Sequence, residues 1–319
     1  NFAKSLIIGT FPVILSCILQ TFLNINGPFE TLNGIIVWFQ RPIEITGGVT
    51  GLFNNPNYLA FWFSIILPFT LIFQKLNKNK LDQIILFFMN FLIIFFLLMT
   101  NSRNGLISII IILFYLLNIR KILLIIFGIS TFVFSLLLLK LPISLTLLST
   151  NNLFQKIFDF NFYFQGNPRI IIWKNATKFI SERPFWGWGP STFPFLNENK
   201  AINLPLKFID AQHTHNMPLE LAHNFGIPLA FIIFTTLLVL FLKVYKEINK
   251  QKNDSEFIFN KCWFLSSSLV ILLHLTDITY YDGKISLVIC IFFAGMRSIL
   301  RDLQSNLHLK KTNNTLLES

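Results

Sequence analysis

The sequence predicts an all-α fold, a polytopic transmembrane helical bundle of about eight spans with a long, partly helical outward loop. Three observations carry that expectation. The chain is 53% hydrophobic and only 13% charged over 319 residues, where a soluble domain carries about 25% charged residues. Its apolar residues fall in continuous runs rather than in alternation, so they read as helices and not as the strands of a barrel. Its cations collect in alternate short connections, the pattern that orients helices in a bilayer.

A hydrocarbon core of about 30 Å takes roughly 20 apolar residues as a helix. Runs of that kind cover Leu6–Leu23, Asn57–Phe73, Ile84–Met99, Gly105–Ile119, Ile122–Leu139, Pro218–Leu242, Cys262–Leu275 and Ile285–Leu300. The seventh is short and can extend to either side. Phe fills these runs, with 38 copies against 6 each of Tyr and Trp; it is an apolar filler that needs no polar partner. The first run lacks a cleavage site and is followed by further runs, so it reads as a span and not as a signal peptide.

The net charge of +11 could suggest nucleic acid, but basic residues would then cluster on a soluble face. Here they mark alternate connections. Lys4 precedes the first span. Lys75, Lys78 and Lys80 lie in one connection, Arg120 and Lys121 in another, and Lys243, Lys246, Lys250, Lys252 and Lys261 in a third. Arg297, Arg301, Lys310 and Lys311 follow at the end. The short connections between them hold few cations: Arg41, Arg103 and Lys284. One topology fits all eight spans, with both ends cytoplasmic. Cys17, Cys262 and Cys290 lie inside apolar runs without CxxC spacing and read as packing residues, with no disulfide or metal site.

The chain therefore divides into residues 1–139, carrying spans one to five and an outward loop over 24–56; a large outward loop over 140–217; residues 218–302, carrying the last three spans; and a polar cytoplasmic tail over 303–319, read as unstructured. Long loops without a role are uncommon. The larger one contains an expected helix, Arg169–Ser181, opened by Pro168 and closed before Pro184. A Gly- and Pro-rich turn with two tryptophans follows over Pro184–Pro190, in keeping with a loop that packs down on the lipid headgroups.

Three local patterns can carry chemistry. His213-Thr214-His215-Asn216 stands at the entry to the sixth span, with Glu220 and Gly226 beyond it. Two His at this spacing can ligate a metal, yet no third ligand is suggested nearby in sequence. They can equally supply a general base or a hydrogen-bond donor, or simply be a polar helix entry with Asn216 at the cap. Arg103, Arg169 and Arg41 face outward. Arg103 at a helix end can just snorkel. Arg169 opens a helix, where a cation opposes the dipole. Guanidinium forks also suit phosphate oxygens. Finally, Gly51–Asn57 (GLFNNPN) reads on its own as a turn that starts a helix.

Together these segments resemble the O-antigen ligase and O-antigen polymerase family of bacterial membrane glycosyltransferases. The resemblance lies in GLFNNPNYLA over Gly51–Ala60, TNSRNG over Thr100–Gly105, the run Arg169–Phe193 with Ile172-Trp173 and RPFWGWGPSTF, and His215-Asn216 with Gly226 ten residues beyond the Asn. It covers roughly residues 50–230. The runs His274–Asp277 and Tyr281–Lys284 resemble the cyanobacterial branch. Family members commonly carry more spans, so the chain reads as the C-terminal part of one. The resemblance implies a protein of the bacterial inner membrane whose active face is periplasmic. It implies transfer of a glycan from undecaprenyl diphosphate to an acceptor sugar, such as lipid A-core, without metal or other cofactor and without nucleic acid.

It also implies that Arg103 and Arg169 hold the diphosphate and that His215 is the essential histidine, acting as base or as a positioning group. Arg41, Asn57, His213, Asn216 and Trp188 are carried over as substrate-binding candidates. The chain departs from the family in lacking an Arg just before the GLFNNPN run, Arg41 being the nearest, and in having His213 beside His215. The same motifs fit a polymerase of the family, whose acceptor is the growing chain. An anion transporter of the bicarbonate kind would instead place ionisable groups at mid-bilayer depth, and the predicted spans hold almost none at their centres. A scaffold without catalysis leaves the Arg and His set without a purpose.

Overall fold

The computed structural model describes residues 2–31, 33, 34, 36–38, 40–116, 168–200, 211–251 and 255–317. Among these the fold is helical apart from one short hairpin. The helices are α1 (Phe2–Phe22), α2 (Ile43–Thr46), α3 (Pro56–Leu76), α4 (Lys80–Met99), α5 (Arg103–Leu116), α6 (Pro168–Glu182), α7 (Phe193–Lys200), α8 (Met217–Phe225), α9 (Ile227–Ile248), α10 (Ser255–His274) and α11 (Gly283–Leu317). Strands β1 (Phe29–Thr31) and β2 (Ile36–Trp38) pair antiparallel, with Glu30 opposite Val37, in the loop that follows α1. Among the described residues six helices are long and apolar enough to cross a membrane: α1, α3, α4, α9, α10 and the first part of α11, Gly283–Ser305. α5 is apolar but shorter. The chain is a multi-pass helical membrane protein. The expected fifth span, Ile122–Leu139, lies outside the described residues.

The sixth expected span is corrected. The apolar run from Pro218 to Leu242 is not one helix: it breaks at Gly226, with φ 86° and ψ 161°. A side chain there would drive its Cβ into the Phe185 carbonyl, and Ile227 N–H donates to Pro184 O at 2.7 Å. Hydropathy cannot register a backbone angle, so the run looked continuous. The spanning helix begins at Ile227, and Met217–Phe225 is a separate helix that buries Glu220, His223 and Asn224. α11 likewise continues to Leu317, past the point where a tail was expected; no Gly or Pro follows Gly295 to stop it.

The chain forms two compact units, residues 1–68 with 87–167 and residues 69–86 with 168–319, so that α3 and α4 each contribute to both. In the first unit, α1 buries Ala3, Leu6, Thr10, Val13, Cys17 and Gln20, a helical stripe. Ile8, Phe11, Leu15 and Phe22 stay exposed, as suits a lipid-facing side. Gly105 on α5 lets Ala60 and Leu97 come close, and Ser64 and Ser108 share a hydroxyl hydrogen bond of 2.5 Å. Small residues and buried hydroxyls serve in this way where lipid offers no hydrophobic drive between helices. Gln20 is buried and ties down the loop between α1 and α3. Its Nε2 donates to Arg41 O at 2.9 Å, and its Oε1 accepts from the amides of Thr50 and Gly51 at 3.0 and 3.1 Å.

In the second unit an aromatic cluster joins Phe69 to Phe259, Trp263 and Phe292. Trp263 lies over Gly295, where any side chain would collide with its ring, and donates to Phe292 O at 3.0 Å. Outside the spans, α6 and α7 form a small core of their own from Ile172, Ala176, Phe179, Phe193 and Leu196, against which Trp173, Trp188, Ala211 and Leu219 pack.

Candidate functional site

The second unit assembles its polar centre from three segments: the start of α6, the turn 211–216 leading into α8, and the loop between α10 and α11. Asn216 organises the middle one. It caps α8, its Oδ1 accepting from Leu219 N–H at 3.0 Å, a preferred cap residue satisfying an otherwise unpaired amide. Its Nδ2 donates to Leu275 O at 2.8 Å, which binds the turn to the α10–α11 loop. Trp173 of α6 donates to Thr214 O at 3.0 Å. The backbone at His215 is left-handed, φ 53°. Few non-glycine residues adopt that conformation, and holding one there costs about 1–2 kcal/mol. The three clamps hold it.

So held, the His215 ring meets Asp277. Nδ1 lies 2.9 Å from Asp277 Oδ1, and Arg169 Nη2 lies 3.4 Å from Oδ2 of the same carboxylate. Asp277 is buried, its side chain 4% exposed, while those of His215 and Arg169 are 29% and 26% exposed. The carboxylate sits behind, and the two cationic or protonatable groups present an edge to the outside.

Burial pushes the Asp277 carboxyl up, but the hydrogen bond and charge of His215, the Arg169 guanidinium and the Ile278 amide outweigh it and hold it at about 2. An ionised carboxylate only accepts hydrogen bonds, so His215 Nδ1 carries the proton and donates. The other ring nitrogen, Nε2, is then the one with a lone pair when the ring is neutral. Among the described residues nothing hydrogen-bonds to it. This is the base-and-orienter geometry of an acid–base pair.

His213 packs edge-on to His215, ring centroids 4.2 Å apart, and stacks on Tyr281 at 5.5 Å with planes 2° apart. Burial, together with the charge of His215, lowers its pKa to about 4, so it is neutral near pH 7. Tyr281 is raised above the ordinary phenol range by burial, by its hydrogen bond to Glu220 and by that residue's charge. Its hydroxyl therefore stays protonated and donates to Glu220 Oε1 at 2.5 Å. Glu220 Oε2 accepts from Thr214 N–H at 2.9 Å, the residue before His215. Glu220 is 1% exposed and acts through these contacts.

Of the candidates read from sequence, this unit brings together Arg169, His213, His215 and Asn216. Trp188 lies in the aromatic turn: its indole donates to Phe179 O at 2.7 Å and the Arg183 guanidinium covers its ring at 4.1 Å. That turn is stitched to the α8–α9 break by Trp188 N–H to His223 O and Gly189 N–H to Asn224 O, at 2.7 and 3.0 Å. Arg103, Arg41 and Asn57 belong to the first unit. Arg103 is half-buried as the first residue of α5, and Arg41 and Asn57 line a cavity there.

Sequence reading passed over Asp277, Glu220 and Tyr281 as working parts. The signal for Asp277 was present in a chain poor in outward carboxylates: it closes the His274–Asp277 run. The sequence also suggested no third ligand to accompany the two histidines, whereas the fold supplies one. His213, His215 and Asp277 each offer a ligand atom, all within 4.8 Å of one another. Arg169 competes for the same carboxylate.

A family model described as O-antigen ligase matches residues 88–234. Over this segment, a little under half of its length, the chain is similar to the O-antigen ligase family. The match runs over Arg103, Arg169, His213, His215 and Glu220 and ends before Asp277. No curated protein matches the chain. Within the matched segment, α8 and its capped entry turn carry the His215-Asn216 motif, and Gly226 of the same motif marks the helix break.

Proposed function

We propose that the protein is a ligase that moves a glycan from undecaprenyl diphosphate to an acceptor sugar, such as lipid A-core, at the periplasmic face of a bacterial inner membrane. One observation carries the reading: partly exposed His215 is backed by an ionised Asp277, with Arg169 on the same carboxylate, and its Nε2 has no hydrogen-bond partner among the described residues. In the transfer, Nε2 takes the proton of an acceptor hydroxyl as that oxygen bonds to the anomeric carbon of the donor sugar. The bond from that carbon to the diphosphate oxygen breaks, and the electron pair leaves with the diphosphate. Arg169 meets the growing negative charge, and the family resemblance gives Arg103 the same task. Fixed guanidinium groups can stabilise a leaving group without a divalent ion.

An anion transporter is less well supported, because Arg169, His215, Glu220 and Asp277 lie outside the helices long and apolar enough to span a membrane. The positive-inside pattern supports an outward site.

The test uses membranes of the full-length protein with an undecaprenyl-diphosphate-linked glycan and a lipid A-core acceptor, in EDTA. Glycosylated acceptor is expected, falling at least about tenfold in His215→Ala and in Arg169→Ala. Longer lipid-linked chains in place of glycosylated acceptor would assign the polymerase reaction. Activity lost in EDTA and restored by a divalent ion would assign a metal to His213, His215 and Asp277 and overturn the metal-free transfer.

A further inference from the structure

We propose that the first unit carries a binding site for an anionic sugar, in a cavity of about 360 Å³ whose polar lining includes Arg41, Thr46, Asn54, Asn55, Asn57 and Asn101. A volume of this order is that of a small-ligand pocket. The chemistry of the lining points to the ligand. Four carboxamides offer donors and acceptors side by side, which suits adjacent hydroxyls. One guanidinium stands among them, and the lining holds no Asp or Glu. A cation would find no charge partner here. A hydroxyl-rich ligand carrying a carboxylate or phosphate would find both kinds of contact.

The lining is built rather than incidental. Asn101 is left-handed, φ 54°, and its Nδ2 donates to Gly47 O at 2.6 Å, fastening two rims of the cavity to each other. Val49 N–H donates to Met99 O at 3.1 Å. Gly48 lies so close to the Thr100 carbonyl that no side chain fits between them. Asn57 N–H donates to Asn55 Oδ1 at 2.8 Å. These bonds set the walls before any ligand arrives, which lowers the ordering cost of binding. Two groups stay open: the exposed guanidinium of Arg41 and the exposed amide of Asn54 make no hydrogen bond or ion pair with the described residues.

Such a ligand could be an acidic sugar residue or the phosphate and glycerol of a lipid headgroup. Four amides around one cation favour the sugar, which has hydroxyls on several sides of its charge. Binding here does not depend on the transferase reading; only the sugar's source, a glycan handled by the enzyme, rests on it.

The experiment titrates the full-length protein in phosphatidylcholine nanodiscs with three probes: a glucuronate-containing disaccharide, its neutral glucose counterpart, and glycerophosphoglycerol. The acidic disaccharide is expected to bind at least about tenfold tighter than the neutral one, the worth of one charge-assisted hydrogen bond. Arg41→Gln should remove that preference. Asn54→Asp, an exposed change of nearly equal size, should weaken the acidic probe and leave the neutral one alone. His215→Ala should bind all three as the wild type does while failing to transfer glycan, so loss of the transferase reading and loss of this site are told apart. Equal binding of the two disaccharides, or a preference that survives both substitutions, overturns the proposal. Tighter binding of glycerophosphoglycerol than of the acidic disaccharide overturns the sugar assignment and gives the cavity to a lipid headgroup.

Discussion

His215 and Asp277 stand 62 positions apart in the chain and meet at 2.9 Å. The contact fixes which nitrogen of the imidazole is protonated, because the buried carboxylate can only accept. Asp277→Asn replaces an obligate acceptor with a group that can also donate, and so permits the tautomer with its lone pair turned inward. Glycan transfer by Asp277→Asn is expected to fall at least about a hundredfold, measured as initial rate at saturating donor. A rate within threefold of wild type would remove the carboxylate from the mechanism.

His213 ties pH to stability. An unfolded His takes a proton near pH 6.5, while His213 in the fold does so only near pH 4. Its folded pKa is lowered, so its contribution is present above about 6.5 and is lost as pH falls toward 4. The groups facing it are His215, Asp277 and Glu220. Burial lowers His223 in the same direction. Asp277, with its folded pKa held at about 2, keeps its contribution until pH falls below about 4. Thermal unfolding in detergent should therefore show a midpoint that declines from pH 7 to pH 4. His213→Phe, which keeps a ring stacked on Tyr281, should make that decline shallower. An unchanged slope in the variant would contradict the assignment.

Much of the fold was legible because lipid leaves few choices. α1, α3, α4, α10 and α11 follow from apolar length alone, and Pro168 and Pro184 bracket α6 within a residue or two. The site was half legible. His215, Asn216 and Arg169 stand in local patterns with visible chemistry. Asp277 and Tyr281 belong to a different loop, and nothing in one sequence pairs a carboxylate with an imidazole 62 residues away. Glu220 showed no role in the sequence because its value lies in being buried, and burial is set by α6 packing on α8. The two-part sixth helix was hidden for a related reason: the break depends on the φ of Gly226 and on a carbonyl from another turn.

That break yields a prediction of its own. Gly226 has φ 86° and abuts the Phe185 carbonyl, and Gly187, φ 66°, would place a Cβ 2.6 Å from His223 O. Gly226→Ala is strained in conformation and in space, so the α8–α9 junction must shift. It should lower the thermal midpoint clearly and lower transfer with it, since α8 carries the His215 turn. Gly9→Ala is the control: Gly9 lies inside α1 with nothing within 4 Å of an added Cβ, and the change should be neutral or slightly stabilising. Equal midpoints for the two variants would contradict the account of the junction.

Tyr281 and Glu220 supply the last test. The Tyr281 hydroxyl donates to Glu220 Oε1 at 2.5 Å, and Glu220 Oε2 takes the amide of Thr214 at 2.9 Å. Tyr281→Phe keeps the ring under His213 but leaves a buried carboxylate oxygen short of a donor, Asn224 Nδ2 remaining at 3.3 Å. A loss of about 1–3 kcal/mol is expected for such an unmade bond, read as a fall in the thermal midpoint. Because Glu220 reaches His215 through the Thr214 amide, the rate should fall too, while the ring stacking stays. Glu220→Gln should also lose stability, since its Nε2 cannot accept from the donors that face that side of the carboxylate. The double variant should cost less than the sum of the single ones, because both remove the same bond. Strict additivity would mean that Tyr281 and Glu220 act apart, and Tyr281 would then serve His213 alone.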